Sequence, residues 1–216
     1  MDFINIMFYE MHGTWDSWAD NSAPLYKRSW ETNPTINIDY IVKYYISKGL
    51  APSKIVMGIP IYGSSWSLAA GAGLNPPNTL STTAGIPGPF IGQSGSLMYS
   101  EICYNVRNNG WKVVQDNKGQ TGPYAYSPTS PVQWVGYDDP SFAVVKSQYA
   151  LANGLGGVMV WDISQDDFKN LCGGGVNPML TAISQTIIAA PTTTSTTTMA
   201  TTKTPGSLRI LPQSSI

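Results

Sequence analysis

Asp2 to Asp16, Asp-Phe-Ile-Asn-Ile-Met-Phe-Tyr-Glu-Met-His-Gly-Thr-Trp-Asp, reads as a strand that ends in an aromatic and an acid and then turns through a Gly/Trp loop. Side chains alternate across a strand, so Asn5, Met7 and Tyr9 share one face and Ile4, Ile6 and Phe8 the other. The apolar face is expected to seat against helices and the mixed face to look inward, with Tyr9 and Glu10 at the carboxyl end. Two later stretches repeat the plan. Lys54 to Tyr62 sets Ile55, Met57, Ile59 and Ile61 against Val56, Gly58, Pro60 and Tyr62, and Gly156 to Ile163 sets Val158 and Val160 against Gly157, Met159 and Trp161. Three strands that each present an aromatic at the carboxyl end, separated by helical patterns, suit a parallel α/β barrel with its site at the C-terminal face.

Between and beyond these strands the punctuation is clear. Ile38, Ile41, Val42, Tyr45 and Ile46 follow helical spacing, Asn37 is placed to cap the start, and Gly49 with Pro52 marks the stop. Residues 64–134 break the rhythm: turn-rich sequence from Ala69 to Ser96, a helical stretch from about Leu97 to Asn109, and strand-like pieces at Trp111 to Val114 and Gln133 to Tyr137. Such an interruption reads as an inserted α+β subdomain. Asp139 caps and Pro140 opens the next helix, Ser141 to Asn153, which Gly154 ends. A last amphipathic stretch runs from Asn177 to Ala189. From residue 191 to 216 the chain becomes Thr-rich and suits an O-glycosylated linker of a secreted protein, since it has too little apolar content to build a core.

These motifs resemble glycoside hydrolase family 18, the chitinases, whose sixth barrel strand reads Met-x-Tyr-Asp before a His-Gly-x-Trp loop. Met7, Tyr9, His12, Gly13 and Trp15 match, while the acid is Glu10, one methylene longer. The resemblance covers roughly residues 1–190 and implies the C-terminal part of a (β/α)8 TIM barrel, strands six to eight, with the small α+β subdomain inserted between seven and eight. It further implies that Tyr9 hydrogen-bonds the substrate's acetamido oxygen and Glu10 helps orient that group. Trp161 becomes the floor under the sugar, and Met7, Met159 and Tyr62 line the pocket. Trp15 stacks on the leaving-group side, and Trp134, Tyr137 and Asp138 complete the cleft wall. By the same resemblance Cys103 and Cys172 form a disulfide that ties the insertion to the barrel; read alone, two cysteines equally suit two buried thiols.

The chemistry of the family is substrate-assisted: a protonated Glu gives its proton to the glycosidic oxygen while the N-acetyl carbonyl attacks the anomeric carbon. That Glu closes an Asp-x-x-Asp-x-Asp-x-Glu strand, and no such run occurs in these residues; Asp162, Asp166 and Asp167 have neither the spacing nor the Glu. A full barrel takes roughly 250 residues, so a C-terminal fragment or incomplete gene product, inactive alone, is expected. The family's Tyr-Gly-Arg-Ser also reads Tyr62-Gly63-Ser64-Ser65 here, which removes a polar contact to substrate. The alternatives are a catalytically dead chitin-binding lectin and a truncated product that does not fold.

Composition fits a neutral ligand. Charged residues make up 12% of the chain against about 25% in typical proteins. With 12 basic and 13 acidic residues there is no footprint for nucleic acid, and a single His argues against a histidine-rich metal site. The 7 Trp and 12 Tyr supply flat amphipathic rings suited to stacking on sugars. No apolar run approaches the roughly 20 residues of a membrane span. The expected protein is a secreted, extracellular monomer that needs no cofactor or metal and takes chitin or its oligosaccharides as partner.

Overall fold

A computed structural model describes residues 1–190; the Thr-rich tail expected over 191–216 lies outside them. In chain order the elements are β1 (Ile4–Ile6), α1 (Ile38–Ser47), β2 (Ile55–Pro60), β3 (Tyr62–Leu68), β4 (Ser81–Ala84), β5 (Ser96–Met98), α2 (Tyr99–Asn108), β6 (Lys112–Val114), β7 (Tyr124–Tyr126), β8 (Gln133–Tyr137), α3 (Pro140–Ala152), β9 (Gly157–Trp161) and α4 (Pro178–Ile188).

Strands β1, β2 and β9 form a three-stranded parallel sheet in the order β1-β2-β9. Its register pairs Ile4 with Ile55 and Ile6 with Met57, then Met57 with Val158 and Ile59 with Val160, so the expected apolar set shares one face. Helices cover that face: Ile55, Met57 and Ile59 are fully buried in a core that includes Ile38 and Val42 of α1, Phe142, Tyr149 and Ala150 of α3, and Met179 and Ile183 of α4. Each such side chain contributes roughly 1.5–3 kcal/mol by leaving water. The opposite face carries Asn5, Met7, Val56, Gly58, Met159 and Trp161, of which Met7 is 70% and Trp161 55% exposed. A glycine is required at 58, because a Cβ there would lie 2.7 Å from the Ile6 carbonyl oxygen and 2.9 Å from the Tyr9 ring.

The helix starts follow their sequence signals. Asn37 Oδ1 accepts the Tyr40 N–H at 2.8 Å and Asp139 Oδ1 accepts the Phe142 N–H at 2.8 Å, caps worth about 1 kcal/mol each. Asp166, fully buried, accepts the Leu180 N–H at 3.0 Å and so fastens the first turn of α4.

The second sheet is six-stranded along β4-β3-β8-β7-β6, with β5 paired to β3. Its antiparallel ladders build a second small core of Ala19, Trp66, Leu68, Tyr124 and Trp134. It begins at Tyr62 and closes at Tyr137. The continuous strand expected from Lys54 to Tyr62 is in fact two: β2 stops at Pro60, and Tyr62 already pairs with Met98 in the other sheet. Proline withholds its N–H and allows the ladder to change partners there. The turn-rich stretch expected over 69–96 also holds β4, and Leu97, expected to open a helix, lies in β5.

Cys103 of α2 is joined to Cys172, with Cα atoms 5.6 Å apart and a sequence separation of 69. Closing a loop of that size contributes roughly 2–4 kcal/mol by restricting the unfolded chain. Asp167 holds the far side of the bridge by accepting the Leu171 and Cys172 N–H groups, each at 2.8 Å. The acidic cluster after β9 thus serves the backbone: Asp162 accepts the Ser164 N–H at 2.8 Å in the same manner.

Candidate carbohydrate-binding cleft

A cavity of about 360 Å³ opens where the carboxyl ends of β1 and β9 meet the start of β3. Glu10, Trp15, Tyr62 and Trp161 all line it. They come from three segments far apart in sequence, brought together where the parallel sheet passes into β3. Glu10 sits in left-handed backbone, φ 60°, at a cost to a non-glycine residue of roughly 1–2 kcal/mol. Such strain collects at functional sites; the regular strand ends earlier, where the Phe8 N–H donates to the Ile6 carbonyl at 3.0 Å in a tight turn. The Tyr62 hydroxyl donates to Glu10 Oε1 at 3.2 Å. Burial first, then the Glu10 charge, raises the Tyr62 phenol well above its ordinary range, so it stays a donor.

Tyr9 stands directly behind this pair, its ring edge-on to Tyr62 with centroids 6.0 Å apart. Burial, followed by Glu10, raises its pKa as well, and its hydroxyl is buried without a hydrogen-bond partner. The Met159 methyl group reaches the same spot above Gly58. Neither Met7, which is exposed, nor Met159 lies on the cavity wall itself.

The loop carrying Trp15 is braced from beneath. Buried His12 contacts Asp16 Oδ2 through Nδ1 at 3.1 Å and Arg28 through Nε2 at 3.1 Å, and Arg28 also pairs with Asp20. A guanidinium only donates, so Nε2 accepts and the Nδ1–H donates to Asp16. Burial and the Arg28 charge both lower the His12 pKa, which suits this neutral ring. Gly13 leaves room for the Trp15 ring, which a Cβ would approach to 2.4 Å.

Three residues expected on the cleft wall are elsewhere. Trp134 is fully buried in the second core, stacked on Tyr124 at 5.0 Å, with its Nε1–H donated to the Leu74 carbonyl at 3.1 Å. Tyr137 is buried beside Tyr99, at 6.5 Å between ring centroids, and Asp138 is paired with Lys146. Trp134 pairs with Trp66, two residues along β3 from the cavity-lining Ser64, and hydrogen bonding and ring stacking take its indole into the sheet's own core. The other wall instead comes from Ile91, Gln93, Ser94, Gly95 and Ser96, with Thr14, Ser64 and Gln165 completing the lining. A short Gly/Ser turn has no periodicity, so nothing in the sequence singled it out. Gln165 is 6% exposed; its amide donates to Asp162 at 3.2 Å, while its Oε1 is buried without a partner. A buried polar atom left unpaired costs about 1–3 kcal/mol, so Gln165 and Tyr9 both hold unused hydrogen-bonding capacity beside the cavity.

Aromatic rings, a carboxylate and polar groups gather at strand ends, flat apolar surface with hydrogen-bonding groups at its edge. A model of glycosyl hydrolases family 18 matches residues 1–166. The chain is 43% identical over 184 residues to probable chitinase 10 of Drosophila melanogaster, covering 84% of this chain and 8% of that protein. It superposes on catalytic domain 2 of the Group II chitinase of Ostrinia furnacalis with a TM-score of 0.83 and 38% identity, over 88% of this chain and 49% of that one. Human YKL-39, described as a pseudo-chitinase with retained chitooligosaccharide binding, matches with a TM-score of 0.80 and 34% identity over 88% of this chain and 51% of its own. The protein belongs to glycosyl hydrolase family 18. It spans about half the length of the solved domains it matches, and less than half of the curated relatives.

Proposed function

We propose that the chain binds β-1,4-linked N-acetylglucosamine oligosaccharides in this cleft and forms the C-terminal part of a chitinase-type (β/α)8 barrel, strands six to eight with the inserted α+β subdomain. The convergence of Glu10, Trp15, Tyr62 and Trp161 on one cavity carries the reading. The partial barrel is supported by the parallel sheet, whose second face has no helical cover among the described residues; parallel sheets are ordinarily buried on both faces. In this reading Trp161 supports a sugar ring, the free Tyr9 hydroxyl donates to an acetamido oxygen, and Glu10, steadied by Tyr62, orients the acetamido N–H. Chitin hydrolysis by substrate assistance then needs the strand that bears the acid. The disulfide supports an extracellular setting. A second reading, a catalytically inactive chitin-binding lectin, is favoured by the likeness to YKL-39, the pseudo-chitinase with retained chitooligosaccharide binding.

Titration calorimetry with tetra-N-acetylchitotetraose tests the binding claim. Trp161→Ala should weaken affinity at least tenfold, since truncating a central aromatic anchor commonly costs about 2 kcal/mol. Equal affinity in that variant would remove Trp161 from the site, and a wild-type chain that neither binds nor unfolds cooperatively would point to a truncated product.

A further inference from the structure

We infer that Glu101 is a positioning residue that holds the 89–96 segment in the shape the cleft requires, an inference that rests on the oligosaccharide reading of the cavity. Glu101 touches no part of the cavity, yet it is only 3% exposed and its carboxylate faces the back of that wall. Its Oε1 accepts the Phe90 N–H at 2.7 Å and the Ile91 N–H at 3.2 Å, and its Oε2 accepts the Met98 N–H at 2.9 Å. Among the described residues no ion pair reaches it. The buried charge is therefore met by backbone N–H groups and by the positive end of α2, in whose first turn Glu101 lies.

The last of these bonds is an ordinary capping box and would serve the helix alone. The first two are not local: they reach ten or eleven residues back and fix the point at which the chain enters the cavity wall. Gly88 shows how closely the segment wraps the carboxylate, since a Cβ there would lie 2.3 Å from Oε1. The far end of the wall is pinned separately, by the Ser65 N–H donating to the Gly95 carbonyl at 2.9 Å and the Gly95 N–H donating to that of Gly85 at 2.9 Å. Without Glu101 the wall would be held at one end only, leaving Ile91 and Gln93 free to drift from the sugar position opposite Trp161.

Hydrogen exchange and oligosaccharide titration on the full chain test this together. In Glu101→Ala the Phe90 and Ile91 amides should exchange at least tenfold faster, with α3 and β2 amides unchanged, and affinity for tetra-N-acetylchitotetraose should fall about tenfold. Glu101→Gln keeps one acceptor oxygen and should recover part of both. If the alanine variant does not fold, Gly88→Ala reads the same contact from the other side with Glu101 intact and should also loosen the wall and weaken binding. Unchanged exchange at Phe90 and Ile91, or faster exchange with wild-type affinity, overturns the inference. A wild-type chain that binds no oligosaccharide sinks the reading of the cleft and leaves the anchor to be decided by exchange alone.

Discussion

Purified chain incubated with a fluorogenic chitobiose glycoside should release no fluorophore above background. The departing alkoxide needs a positioned proton donor, a contribution of typically 10²–10⁴-fold, and the family's acid-bearing run is missing from these residues. Glu10 is the one carboxylate on the cavity wall among the described residues, but its Oε1 already accepts a hydrogen bond from Tyr62 at 3.2 Å, which suits it to orient a ligand group. Glu31 and Glu101 do not line the cavity, and Glu101 spends its oxygens on backbone N–H groups. The control is Glu10→Gln: turnover in the wild type that disappears in this variant would make Glu10 the acid and overturn the division of roles.

Replacing Lys146 by Met should cost about 3–5 kcal/mol of stability, read as a shift in the urea midpoint, because it strands a charge partner inside the protein. Lys146 is fully buried and donates to Asp138, itself 3% exposed, and its ammonium also lies 4.8 Å from the centre of the Phe142 ring. Burial raises the Asp138 carboxyl to about 6 and lowers the Lys146 ammonium, each opposed by the charge of the other. An ion pair held at that cost stays useful only while both partners remain. The double variant Lys146→Met with Asp138→Leu should therefore recover most of the loss, since apolar replacement of a buried pair is often neutral. A single variant within 1 kcal/mol of wild type would show that the pair is not the constraint described.

The same pair marks where reading the sequence fell short. Asp138 follows Trp134 and Tyr137 in a stretch that matches family sequence, and the resemblance assigned all three to the cleft. Whether a side chain on a strand faces a ligand or a second core depends on what is packed beneath it, and no pattern within β8 encodes the Tyr124 ring or the Leu74 carbonyl that claim Trp134. What did survive rests on local rules. Period-two alternation placed Ile55, Met57 and Ile59 in the core, and the caps at Asn37 and Asp139 start their helices. Glu10, Tyr62 and Trp161, which line one cavity, were read from the carboxyl ends of alternating stretches, and Trp15 from the His-Gly-x-Trp match. The 91–96 wall was not, because a Gly/Ser turn gains its position from contacts distant in sequence, Glu101 and β3 among them.

The structure of the chain crystallised with tetra-N-acetylchitotetraose tests the central claim most directly. The account predicts a sugar ring lying flat on Trp161 with its acetamido group within hydrogen-bonding distance of the Tyr9 hydroxyl and Glu10, and the oligosaccharide running between Trp15 and the 91–96 wall. An oligosaccharide seated on another surface, with this cleft vacant, would contradict it.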